Sequence, residues 1–187
     1  EWEREVQLAK KILQGDISAY KQAIEELAPF DDIKELGTSL HITTDNPKYV
    51  EVTVNVHSEE VIPKEVKSLT KTGKVSTRAM SKTRFYELYQ DYVCSCVLRI
   101  ARELFAILPI NNVYIHANGE VLNTSTGHLD EVTILSVMIP RETLEKLNFD
   151  SIDCSDSMNN FVHNMKFRKT KGFAAVEKIS PDQFVEE

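Results

Sequence analysis

The chain has 187 residues, 42% of them apolar and 27% charged, the composition of a globular domain long enough to bury a core. It is acidic overall, with 22 basic against 29 acidic residues. No apolar run approaches the roughly 18 residues of a membrane span, because the best one, YVCSCVLRIARELFAIL at 92–108, is broken by Arg99, Arg102 and Glu103.

The sequence opens at Glu1 inside a helical pattern, without an initiator Met or a basic-then-apolar leader, and is expected to be a piece of a longer protein. Three cysteines, an odd number, argue against a disulfide framework. Cys94 and Cys96 lie two apart on a predicted helix and point away from each other, so a reducing, cytoplasmic setting is expected.

Residues 2–13 place Trp2, Val6, Ala9 and Leu13 on one helix face, which suits the end of a coiled coil. Residues 1–14 are therefore read as the end of a helical stalk with oligomerising potential, and 15–187 as a single α/β domain. Gly15 stops the first helix and Asp16 caps a second, ISAYKQAIEELA, which runs to Pro29. LGTSLHITT and KYVEVTVNVH alternate apolar and polar residues around the turn DNP, predicting a hairpin. Val50, Val52, Val54 and Val56 share its core face.

After a basic stretch, RFYELYQDYVCSCVLRIARELFAIL predicts a helix ending at Pro109. Including its approach from residue 82 it is about 40 Å long at 1.5 Å per residue. NVYIHANGEVLNT reads as a hairpin turning at Asn118-Gly119. EVTILSVMI lacks alternation and predicts a strand buried on both faces. Short helices are expected at RETLEKL and near 155–163, and a last strand or hairpin at MKFRKTKGFAAVEKI. The fold class is α/β (α+β): a mixed sheet of hairpins packed on one long central helix, with helices at the N-terminus.

The charge is segregated. KEVKSLTKTGKVSTRAMSKTR, 64–84, holds Lys64, Lys67, Lys71, Lys74, Arg78, Lys82 and Arg84 against one acid, Glu65. NMKFRKTKG, 164–172, adds Lys166, Arg168, Lys169 and Lys171 with none. Hydroxyls and glycines accompany both clusters, and short donors beside cations suit phosphate oxygens. The leading reading is a non-enzymatic binding or regulatory module that presents these eleven cations to a phosphate-bearing partner such as nucleic acid. The plain alternative is a solvated loop balanced by the acidic remainder of the chain.

Other motifs are weaker. SLTK and KTG share Lys71, whereas the two signatures of serine β-lactamases lie far apart in sequence, so the match is chance. KTGKVS lacks the leading glycine and the ending of a phosphate loop. Asp45 followed by Glu65-Val66-Lys67 has the acid, acid and lysine of restriction-type nucleases, in a similar element order. A metal-dependent nuclease-like enzyme holding Mg²⁺ is thus the runner-up, and a purely structural assembly domain the third reading.

NTSTGHLDE, 123–131, clusters Ser125, His128, Asp130 and Glu131 without metal-ligand spacing, and reads as a hydrogen-bonded surface loop. His41, His57 and His116 are expected as satisfied surface histidines on strands. Cys94 and Cys96 are expected as buried small hydrophobes, with Cys154 the remaining thiol. No cofactor and no metal ligand set is expected.

Taken together, VKSLTKTGKVS, RFYELYQDYVCSCVLRIARELFAILP, LNTSTGHLDE and ILSVMIPRETLEKLNFD resemble the C-terminal region of a family of uncharacterised bacterial proteins. The resemblance covers residues 15 to 180 and implies a bacterial, cytoplasmic domain of unknown function behind other N-terminal segments. It implies no activity, cofactor or catalytic residue.

Overall fold

The computed structural model describes residues 2–27 and 37–184. The end of the second helix at Pro29, the start of the first strand at Leu36, and Glu1 lie outside them. Helix α1 (Trp2–Leu13) and helix α2 (Ile17–Leu27) meet at a tight corner. Gly15 takes a left-handed backbone with φ +77°, which glycine adopts without a Cβ clash. Asp16 Oδ1 then accepts from the N–H groups of Ser18 (2.8 Å) and Ala19 (3.2 Å), capping α2.

The buried face of α1 differs from the expected stripe. Leu8 and Ile12 are buried in the main core, while Trp2 and Leu13 are 74% and 77% exposed and Ala9 is exposed too. Leu8 and Ile12, four apart, form a purely aliphatic pair that meets α2, so α1 is turned roughly a third of a revolution from the Trp2–Leu13 line. An Arg4–Glu26 ion pair also ties it to α2. Residues 2–13 thus pack on the domain through Leu8 and Ile12.

Strands β1 (Gly37–Asn46) and β2 (Tyr49–Val56) form the expected hairpin, and Val50, Val52, Val54 and Val56 are all buried. The chain then leaves the sheet for a two-stranded excursion, β3 (Glu65–Leu69) and β4 (Val75–Ala79), before α3 (Lys82–Ile107). It returns as β5 (Asn112–Leu122), β6 (Leu129–Pro140), the short helices α4 (Arg141–Glu145) and α5 (Cys154–Ser157), β7 (Val162–Arg168) and β8 (Gly172–Ala174).

The main sheet has the order β1-β2-β5-β6-β7-β8. Strands β2 and β5 run parallel and the other pairs antiparallel, so the sheet is mixed, as the sequence predicts. Val113, Ile115 and Ala117 of β5 pair with Val50, Val52 and Val54. Together with Leu135, Val137 and Ile139 of β6 they make an aliphatic face that packs on α3. Val93, Val97, Ile100, Ala101 and Leu104 of α3 are buried against it, which makes this helix the core helix.

The last turn of α3 is capped from elsewhere in the chain. Arg141 donates from Nε to the Ile110 carbonyl (2.9 Å), from Nη1 to Phe105 O (3.0 Å) and from Nη2 to Leu108 O, and stacks on the Phe105 ring. A planar fork of donors fits these carbonyls as a lysine could not.

The expected turn at Asn118-Gly119 is absent; β5 runs straight through both residues. The reversal comes later, at Asn123–His128, where Asn123 Oδ1 accepts from Ser125 N and Oγ. Gly119 sits close against β6 instead of turning: a Cβ there would lie 2.8 Å from Ile134 Cδ1. A register shift between Ala117 and Asn118 marks a bulge beside it. β6 is buried on both faces from Ile134 to Val137, as expected.

Candidate functional site

The basic stretch 64–84 folds into an arm. Its five cross-strand pairs run from Glu65–Ala79 through Lys67–Thr77 to Leu69–Val75, and a turn at Thr70–Lys74 closes it. Gly73 in that turn has φ +76°. Thr70 Oγ1 accepts from Lys74 N (3.1 Å), and Met80 N donates to Lys64 O (2.8 Å) at the base. Among the described residues β3 and β4 pair only with each other, and every strand residue except Val66 is exposed. A lone hairpin is marginal in water, so this one is held chiefly by its own ladder and its anchored base.

Alternation along the strands sorts the side chains. Glu65, Lys67, Leu69, Val75, Thr77 and Ala79 share one face; Val66, Ser68, Ser76 and Arg78 share the other. Lys71 and Lys74 sit in the turn and Lys64 at the root. Lys82 and Arg84 follow in the first turn of α3, which carries no acid and is capped by Ser81 Oγ accepting from Arg84 N (3.3 Å).

The second cluster reaches the same neighbourhood in part. The β7–β8 turn rests on α3: Lys169 Nζ lies 2.8 Å from Glu87 Oε1, and a Cβ at Gly172 would lie 2.9 Å from the Tyr86 ring. Glu87 beside it raises the pKa of Lys169, so that charge is partly matched. Lys171 is exposed in the turn. Lys166 and Arg168 alternate with Met165 and Phe167, which pack on the core, and so point to the sheet face away from α3. The eleven cations therefore divide into the arm with the α3 start, the turn beside it, and an outlying pair.

Asp45 is on β1 of the main sheet, whereas Glu65 and Lys67 are on the arm. Among the described residues no group of three His, Cys, Asp or Glu could hold a metal ion. The 123–131 loop is exposed and internally bonded, with Asn123 Nδ2 donating to Asp130 Oδ2 (2.9 Å).

No family model, curated protein or solved structure matches this chain. Its chemistry has to be read from its own residues.

One polar centre escaped the sequence reading. His116 is fully buried rather than at the surface, on the sheet face opposite α3. Its Nδ1 is 2.8 Å from Ser136 Oγ and its Nε2 2.9 Å from Glu51 Oε1. Ser136 Oγ accepts from Ile179 N (2.8 Å), in a C-terminal strap that also hydrogen-bonds from Val176 N to Thr133 O and lays Phe184 on Tyr114. In the tautomer with the proton on Nε2, that N–H donates to Glu51 Oε1, and Nδ1 is free to accept from the Ser136 hydroxyl. Burial lowers the pKa of His116, although Glu51 opposes the shift. Serine, histidine and carboxylate in a row suggest nucleophilic catalysis. Here the serine is buried in the middle of a strand and its oxygen is already engaged by the strap, so the row fastens the strap to the sheet. The residue signal was present in the alternation of β5, which puts His116 opposite Thr53 and Ser136.

Burial pushes the Cys96 thiol up to about 11 and Cys94 higher still, so neither is a nucleophile at neutral pH. A polar cleft of about 360 Å³ opens where β2 ends beside the middle of β5, lined by Asn55, His57, Glu60, Asn118, Glu120 and Glu131. Its lining carries three carboxylates, Glu60, Glu120 and Glu131, and no Lys or Arg.

Proposed function

We propose that this domain is a non-enzymatic binding module whose β3–β4 arm engages a phosphate-bearing partner, nucleic acid in particular. The observation that carries the reading is the projection of five cations, Lys64, Lys67, Lys71, Lys74 and Arg78, on a hairpin that contributes no residue to the main core. An exposed hairpin with this charge serves no packing purpose, and an acidic body behind it favours anions approaching from the arm side.

Lys82 and Arg84 support the reading. Cations in a first helical turn oppose the helix dipole, and an anion held near the root of the arm would offset both. Lys169 and Lys171 of the neighbouring turn extend the same approach, while Lys166 and Arg168 stand apart from it. Three free thiols fit a reducing, cytoplasmic setting.

The test is anisotropy of a labelled 20-mer nucleic acid titrated with this chain between about 50 and 200 mM salt. With four or five phosphates neutralised, log K falls against log salt with a slope of about −4. The triple variant Lys71→Glu, Lys74→Glu, Arg78→Glu abolishes binding. A salt-independent affinity, or an unchanged one in the triple variant, refutes the proposal.

A further inference from the structure

We infer that the arm is built for B-form duplex DNA, entering the major groove with its Lys67–Leu69–Val75–Thr77 face against the base edges. This rests on the phosphate-binding reading and goes further, to the form of nucleic acid and the side chains that touch its bases.

The argument starts from two side chains that charge does not explain. Leu69 and Val75 face each other across the last pair before the turn, 76% and 66% exposed. A surface that only attracted phosphate would have no use for two adjacent aliphatic residues at its outer end. They lie on the free face of the ribbon; Val66, the half-buried strand residue, is on the opposite one. Lys67 shares their face, with Glu65 and Ala79 at its root end, and Lys71 and Lys74 flank them in the turn. An apolar spot rimmed by cations matches a groove, whose floor carries apolar edges and whose walls carry phosphates.

Dimensions select the groove. Two strands about 4.8 Å apart with their side chains make a ribbon that fits a groove about 12 Å wide, but not one of about 6 Å. Five residue pairs span about 17 Å, or about five base pairs. In the major groove the apolar feature available to Leu69 and Val75 is the thymine methyl. A-form RNA presents a deep, narrow major groove that the ribbon could not enter. Single strands are held by stacking on aromatic rings, and residues 64–84 contain none. Mutual repulsion of two such basic arms disfavours a second copy as the occupant.

The experiment compares three probes of one A·T-rich sequence that is not self-complementary: duplex DNA, the same duplex with uracil for thymine, and the single strand, plus the matching RNA duplex. The DNA duplex is expected to bind at least tenfold tighter than the single strand or the RNA. Loss of the thymine methyls weakens it about threefold or more. Leu69→Ser with Val75→Ser lowers duplex affinity about tenfold, removes the thymine-uracil difference and leaves the salt slope as in the wild type. Neither residue belongs to the core, so the melting curve of this variant is unchanged; the uracil duplex with unaltered protein tests the same contact independently. Salt-dependent binding that is equal on single strand or RNA, or indifferent to the double variant and to uracil, overturns the groove assignment and leaves the phosphate reading standing. Absence of salt-dependent binding to all four probes overturns both.

Discussion

Replacing Ser136 by alanine is the sharpest test of how the C-terminal strap is held. The substitution deletes one buried oxygen that takes the Ile179 N–H at 2.8 Å and meets His116 Nδ1 at 2.8 Å. Ile179 and His116 are both buried, so neither orphaned group gains water in exchange. A buried group left without its partner costs about 1–3 kcal/mol, and two of them predict a loss of about 2–6 kcal/mol. With a urea m-value of about 2 kcal/mol/M for a domain of this size, a loss of about 3 kcal/mol lowers the midpoint by about 1.5 M. Equilibrium urea unfolding followed by circular dichroism gives that number. Hydrogen exchange at the Ile179 amide gives the local one, with protection falling before that of β5 and β6. A midpoint shift below about 0.3 M, with Ile179 still protected, would show that water or rearrangement replaces the serine and that the row does not fasten the strap.

The same centre predicts a pH dependence. The unfolded chain protonates His116 near its ordinary 6.5 and the folded chain only lower. The associated stability is therefore full above about pH 6.5 and drains away as the pH falls below it; a His116→Gln variant should lose this part of the slope in urea titrations at pH 7 and 5. Arg141→Lys leaves the α3-terminal carbonyls without their fork and should destabilise by about 2 kcal/mol or more, with a melting temperature equal to wild type counting against the cap. Leu8→Ala or Ile12→Ala should cost about 2–4 kcal/mol in thermal or urea melts, whereas Trp2→Ala stays within about 0.5 kcal/mol; the reverse order would restore the stripe as the packing face. Gly119→Ala forces a methyl towards Ile134 and should cost about 1–3 kcal/mol, read from the same unfolding curves.

The elements that were legible in the sequence are those where pattern and burial coincide. The valine alternation of β2, the unbroken apolar run of β6 and the Gly15–Asp16 corner each encode their conformation locally. Three features were not legible, for physical reasons. Asn118-Gly119 is a favoured turn pair, but the close approach of Ile134 and continued pairing with β6 outweigh the local preference. On α1 two helical stripes compete, and the choice is made by α2. The pairing of β3 with β4 was hidden because a strand with water on both faces has no hydrophobic period to read. For the site, the sequence located the basic residues but not their sorting: strand alternation separates Lys67 from Arg78 and sends Lys166 and Arg168 to the far side of the sheet.

The arm occupies the link between two parallel neighbours, β2 and β5, which α3 must in any case bridge. Its two ends are brought side by side by its own ladder, with Glu65 opposite Ala79 and Lys64 bonded to Met80. To the rest of the domain it is thus a closed insertion, entering and leaving at one point. Residues 65–79 can be excised and the chain rejoined across that gap without stretching any connection of the scaffold. The hairpin is equally transferable: grafted into another surface turn, it would take its charge and its aliphatic pair with it. Whatever the arm recognises is then separable, by a single deletion, from everything that makes the domain fold.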